Sequence, residues 1–189
     1  MTRLFTVVVT AVTLLAGTGV AMADPEINPL FQLFGGGVRS GTGPIPRTTV
    51  DFPNNYAPGT IIVNTRERRL YLIQNSSQAL RYGIGVGRDG FRWGGVHRIS
   101  AKKEWPSWTP PSQMLRRRPD LPRHMVGGPD NPLGARAMYL GSTLYRIHGS
   151  NEPETIGQAV SSGCFRMVND DVIDLYNRVQ VGATVIVKN

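Results

Sequence analysis

One cysteine and three histidines are the whole supply from which this 189-residue chain could build a thiol nucleophile and its nitrogen base. Attack on a carbonyl needs the thiolate, and a free thiol of pKa about 8.5 is only a few per cent ionised at neutral pH. Cys164 therefore needs a partner base, and the candidates are His97, His124 and His148. His97 sits in a β-prone run beside Arg98, which suits a surface or core position. His124 lies between Arg123 and Met125 in a proline-rich stretch. His148 ends the run Leu144-Tyr145-Arg146-Ile147 and precedes Gly149, Ser150 and Asn151, so its ring is expected to emerge where the chain changes direction. Gly149 permits a tight turn and can present its carbonyl to the imidazole. Gly163, immediately before Cys164, permits an unusual backbone and leaves the N–H groups of Gly163 and Cys164 free to face a developing oxyanion. The chemistry these residues could carry is attack on an amide carbonyl, with Cys164 as nucleophile and His148 as its base. Arg166 projects opposite to Phe165 and Met167 if the segment is extended. There it either holds a substrate carboxylate or pairs with Asp170 or Asp171.

The elements that must position these residues are mostly strands. Thr60–Val63, Leu70–Ile73 and Ala79–Val86 are short β-prone runs separated by turn residues and read as consecutive antiparallel strands. Val96–Lys102, Ala135–Leu140, Leu144–His148 and Thr184–Val187 add further strands. The expected class is mainly β, a sandwich or barrel-like mixed sheet with one helix in the C-terminal half and a long proline-rich lid loop. That helix opens at Asn169 as N-cap, carries Asp170 and Asp171 in its first turn, and spaces Val172, Ile173, Tyr176 and Val179 helically before Gly182. A shorter helical turn is expected over Thr155–Val160. Seven prolines between Trp105 and Gly134 forbid a continuous strand or long helix. That stretch also carries Trp105, Trp108, Met114 and Arg116-Arg117-Arg118, a mixture expected of a substrate-facing flap, with a packed surface excursion as the alternative.

The N-terminus reads as a secretory signal over residues 1–23: Arg3, then no charged residue from Leu4 to Val20, then Ala21-Met22-Ala23 before Asp24. A membrane anchor is the alternative, but Thr10, Thr13, Gly17, Thr18 and Gly19 interrupt the apolar stretch, and it is short for a span of about 20 residues. Residues 24–56 are rich in Pro, Gly, Thr and Asn and read as a flexible tether, leaving 57–189 as one catalytic domain. A lone cysteine in an exported chain makes no internal disulfide, so a packed core must hold the fold. Lys and Arg number 21 against 13 Asp and Glu, a net +8 that falls to +7 once Arg3 leaves with the signal. Such a charge favours anionic partners. Export and the lack of any nucleic-acid-binding motif argue against nucleic acid, and a carboxylate-rich wall polymer suits the compartment.

The linked motifs Ile147-His148-Gly149-Ser150-Asn151-Glu152-Pro153, Ile156-Gly157, Ser161-Ser162-Gly163-Cys164-Phe165-Arg166-Met167 and Asn169-Asp170-Asp171 resemble the L,D-transpeptidase catalytic domain, also called YkuD-type. The resemblance includes the sixteen-residue offset from His148 to Cys164 and extends upstream through Asn131-Pro132-Leu133-Gly134. One position departs: Ser162 stands where the family usually has a second histidine, so a catalytic role for that position is not carried over. The resemblance implies that the thiolate attacks the carbonyl after diaminopimelate in a peptidoglycan tetrapeptide stem and releases D-alanine, and that an amine of a second stem resolves the thioester into a cross-link. It implies acylation of Cys164 by carbapenems and no metal or other cofactor. Water as acceptor would make the enzyme an L,D-carboxypeptidase, and an outer-membrane protein's amine would make it an attachment enzyme. Asn151, Ser162 and, from the flap, Trp108 join Arg166 as candidate substrate-binding residues. The expected protein is a monomer exported to the periplasm.

Overall fold

A computed structural model of the chain describes residues 43–189. The signal-like segment and residues 24–42 of the tether lie outside the described residues. Strands β1 (Thr48–Asp51), β2 (Ile61–Asn64), β3 (Arg69–Ile73) and β4 (Gln78–Gly83) are followed by the short β5 (Val86–Gly87) and the long β6 (Gly95–Glu104). Helix α1 (Ser112–Arg117) lies in the flap, and β7 (Arg136–Leu140) and β8 (Arg146–His148) lead to a 3-10 turn at Pro153–Thr155. The chain ends with β9 (Ala159–Ser161), β10 (Phe165–Arg166), α2 (Asn169–Arg178) and β11 (Thr184–Lys188).

Nine strands form one mixed sheet in the order β1-β4-β3-β2-β11-β6-β7-β8-β10, and β5 and β9 form a separate parallel pair. The sheet has edges at β1 and β10, so it is not a closed barrel. The expected β2-β3-β4 meander is antiparallel throughout. Period-two alternation along β2 sends Ile61 and Val63 into the main core, where Leu70, Tyr82, Ile99, Met138, Ile147 and Phe165 meet Val172 and Leu175 of α2. Ile62 faces a second cluster with Ile73 and Ala79. Burial on both faces is why this strand reads as a continuous apolar run rather than an alternating one.

Three local expectations change. Within the tether, Thr48–Asp51 is a strand paired with β4, Thr48 opposite Arg81 and Val50 opposite Ala79. The β-branched run Thr48-Thr49-Val50 caps an edge that β4 would otherwise leave open. The helical turn expected over Thr155–Val160 is a 3-10 turn ending at Thr155, then strand β9. Gly157, at φ 90°, breaks the helical path, and Ile84 C=O and Val86 N–H offer ladder partners to Gly157 N–H and Gln158 C=O. Asn169 is the first residue of α2 rather than its cap, which is Val168. Its side-chain oxygen instead accepts the N–H of Ala135 at 2.9 Å, tying the helix start to the end of the flap.

Candidate active site

The candidate nucleophile Cys164 and candidate base His148 meet through strand pairing. β8 and β10 run parallel, with Phe165 opposite Ile147 and Arg166 opposite His148, and the Met167 N–H bonds the His148 carbonyl at 2.8 Å. Continuing that register by one residue sets Cys164 opposite Arg146. Because side chains alternate along a strand, Arg146 and His148 share a face of β8, and Cys164 and Arg166 share the matching face beside it. All four line one cavity of about 650 Å³. The sixteen-residue offset is thus bridged by a lattice in which thiol and imidazole are flanked by two guanidinium groups.

His148 is 4% exposed, and its Nδ1 lies 2.6 Å from the Gly149 carbonyl oxygen. A carbonyl only accepts, so Nδ1 carries the proton and Nε2 keeps its lone pair. Burial pushes the His148 pKa down to about 3, against the pull of the Gly149 bond and assisted by Arg166 and Arg146. Burial likewise pushes the Cys164 thiol up, opposed by Arg146 and Arg166. The resting pair is therefore neutral thiol and neutral imidazole. The thiol faces the Leu144 carbonyl at 3.9 Å.

Gly163 holds the nucleophile's backbone at φ 107°, a conformation that favours glycine. A Cβ there would collide with the Tyr145 ring. That ring cannot retreat, since it stacks on Trp93 at 4.3 Å and 7°. Trp93 in turn donates its indole N–H to the Gly163 carbonyl at 2.7 Å. In a trans peptide the following N–H points the opposite way, so Trp93 turns the Cys164 N–H away from its own side. The expectation that the Gly163 N–H is also free for an oxyanion is corrected here. It donates to Ser161 Oγ at 3.1 Å, while the Ser161 hydroxyl donates to the Cys164 carbonyl at 2.6 Å. The base side is equally tight: a Cβ on Gly134 or Gly149 would strike Asn169 Oδ1. The flap's end, the carbonyl that orients His148 and the start of α2 thus share one crowded point.

The remaining sequence candidates fall as follows. Arg166 pairs with neither Asp170 nor Asp171 but with Glu152, at 2.7 Å, on the cavity wall. Asn151 lines the cavity and donates to the Asp130 carbonyl at 3.0 Å, linking the base loop to the flap. Trp108 lines it too, bonded to Met125 through both backbone groups at 2.8 Å. Ser162 accepts from Arg117 of α1 at 3.5 Å, so the position without its histidine receives a flap arginine. His97 meets Trp93 edge-on at 5.0 Å, His124 faces Thr109 at 3.2 Å, and neither is among the cavity-lining residues. Sequence reasoning missed Trp93, Tyr145, Ser161, Glu152 and Arg146. Only Arg146 left a signal, its place two residues before His148 on the same strand face.

The family model for the YkuD-type L,D-transpeptidase catalytic domain matches residues 58–187. The chain belongs to the L,D-transpeptidase catalytic-domain family. A relative named probable L,D-transpeptidase ErfK/SrfK, from Escherichia coli strain K12, is 40% identical over 134 residues, covering 66% of this chain and 42% of that protein. The chain spans about half the length of the curated relatives it matches. A solved protein from Brucella melitensis, named a probable carnitine operon oxidoreductase, is 48% identical and covers 72% of this chain and 89% of its own, with TM-score 0.51. An L,D-transpeptidase from Mycobacterium smegmatis shares the fold at 17% identity and TM-score 0.57, over 70% of this chain and 59% of that one. The mainly β mixed sheet is that of this L,D-transpeptidase structure.

Proposed function

We propose that this protein is an exported L,D-transpeptidase that cross-links peptidoglycan stems through a thioester on Cys164. The observation that carries the reading is the pairing of Cys164 and His148 on adjacent parallel strands over one cavity, with Nδ1 of His148 committed to Gly149 and Nε2 left as the base. Its fine chemistry follows from these atoms. As Cys164 Sγ bonds the carbonyl carbon after diaminopimelate, its proton passes to His148 Nε2, and the Cys164 N–H receives the negative oxygen. Collapse breaks the C–N bond, and the imidazolium returns the proton to the departing D-alanine amine. An amine of a second stem then attacks the thioester and loses a proton to His148, which restores the thiol. Both half-reactions exchange acyl groups and protons only, so electrons balance without an external reductant. The positive net charge suits a carboxylate-bearing polymer, and the signal-like start suits export to the periplasm.

Incubating the mature protein with a purified disaccharide-tetrapeptide and weighing the products by mass spectrometry tests this, with Cys164→Ala as control. Dimers lacking one D-alanine are expected from the wild type only. Tripeptide without dimer would make water the acceptor, and a stem joined to an added lysine-terminated peptide would make a protein amine the acceptor. Unchanged tetrapeptide with the wild type would overturn the reading.

A further inference from the structure

Two arginines flank the nucleophile and base, and they differ in one respect. Arg166 is neutralised by Glu152 at 2.7 Å. Arg146 has no ion pair among the described residues. Its Nη2 donates to the Leu144 carbonyl at 3.1 Å, the same carbonyl the Cys164 thiol faces. Its Nε is buried without a hydrogen-bond partner, and its guanidinium lies over the Tyr139 ring at 5.4 Å. A guanidinium with no counter-charge, on the cavity wall beside the thiol, is one that a bound anion can pair with. The anion must lie close to the atom under attack. In a peptide whose last residue is the leaving group, the free terminal carboxylate lies only three bonds beyond the scissile carbonyl.

We propose that Arg146 is the subsite that receives the terminal carboxylate of the donor peptide, so that the enzyme removes a single C-terminal residue rather than cutting within a chain. This rests on the acyl-transfer reading above. It also moves the carboxylate-holding role expected of Arg166 to its neighbour across the strand pair, because Glu152 already occupies Arg166. No step of the reaction changes: the carboxylate is bound before attack and leaves with D-alanine.

The test compares two donors, the tetrapeptide stem with a free terminal carboxylate and the same stem with a terminal amide, in the wild type, Arg146→Met and Arg146→Lys. The wild type should prefer the acid by about 10- to 100-fold in kcat/KM, the range for losing one charge-assisted hydrogen-bonded contact. Arg146→Met should abolish the preference, turning over acid and amide at rates within about threefold of each other, and Arg146→Lys should recover part of it. A merely structural role would lower both donors together and leave their ratio intact, which overturns the proposal, as does a wild type that treats acid and amide alike. Iodoacetamide alkylation of Cys164 in each variant confirms an intact thiol site. If the wild type turns over neither donor, the acyl-transfer reading itself falls. If it turns over both equally, only the Arg146 subsite does.

Discussion

The protonation state of the Cys164–His148 pair can be read from its reactivity toward a small alkylating agent across pH. Burial holds the thiol above its ordinary value of 9.0 and the imidazole down at about 3. Even at 9.0 the thiol would be only ~1% ionised at pH 7, and burial lowers that fraction. Iodoacetamide reacts with the thiolate and needs neither a base nor an oxyanion site. Its second-order rate should therefore climb about tenfold per pH unit from 6 to 8, with no plateau and no inflection from His148, which stays neutral throughout. His148→Gln should change that rate at pH 7 by less than about threefold, because no imidazolium is present to be lost. The same variant should slow acylation by a carbapenem by about 10²- to 10⁴-fold, since attack on a carbonyl requires the proton to be taken up as the bond forms. A wild-type plateau with an apparent pKa below 7 that vanishes in His148→Gln would refute the reasoning, for it would reveal a preformed thiolate–imidazolium pair.

Trp93→Phe keeps the ring against Tyr145 but removes the donor to the Gly163 carbonyl, so carbapenem acylation should fall by about 10-fold or more while alkylation stays within about twofold, as stopped-flow and thiol-labelling rates will show. Gly163→Ala must place a Cβ against the Tyr145 ring at a φ of 107°; urea titration should give a loss of about 2 to 4 kcal/mol, and a loss under about 0.5 kcal/mol would contradict the crowding. Asp171, buried and beside Arg47 at 3.3 Å, has its carboxyl raised by that burial to about 6. This lies above the ~3.9 of an unfolded aspartate, so its stabilising contribution is complete below about pH 4 and is lost as pH rises through 6. Asp171→Asn should therefore gain on the wild type by up to ~3 kcal/mol between pH 4 and 7 in urea titrations, whereas a constant difference across that window would remove the assignment.

What the chain reveals before folding follows the range of the interactions involved. The β2-β3-β4 meander and α2 are written in short-range patterns, alternation and helical spacing, and the candidate pair His148 and Cys164 is marked by a glycine beside each. Strand β1 escaped because Thr48–Asp51 sits in a stretch whose composition matches a linker, and only the open edge of β4 makes it a strand. Strand β9 escaped because its partner is the two-residue β5, more than seventy positions earlier. In the site, Gly163 was legible as a special backbone position, but its engagement with Ser161 was not, since Ser161 and Ser162 look alike in sequence and only one turns inward. Trp93 left no trace at all: its importance lies in a carbonyl seventy residues away. Arg166 pairs with neither aspartate that follows it in sequence, because its partner Glu152 belongs to the loop after His148, a neighbour set by three-dimensional folding of that loop.

The lateral pairing of β8 with β10 separates two properties that chain order joins. The placement of thiol beside imidazole follows ladder register, while the fifteen residues from Gly149 to Gly163 orient the imidazole, pair with Arg166 and close the connection. A slip of one rung would turn Cys164 and Arg166 to the far face together. Register therefore sets which side chains meet over the cavity, and the loop sets what each of them is bonded to.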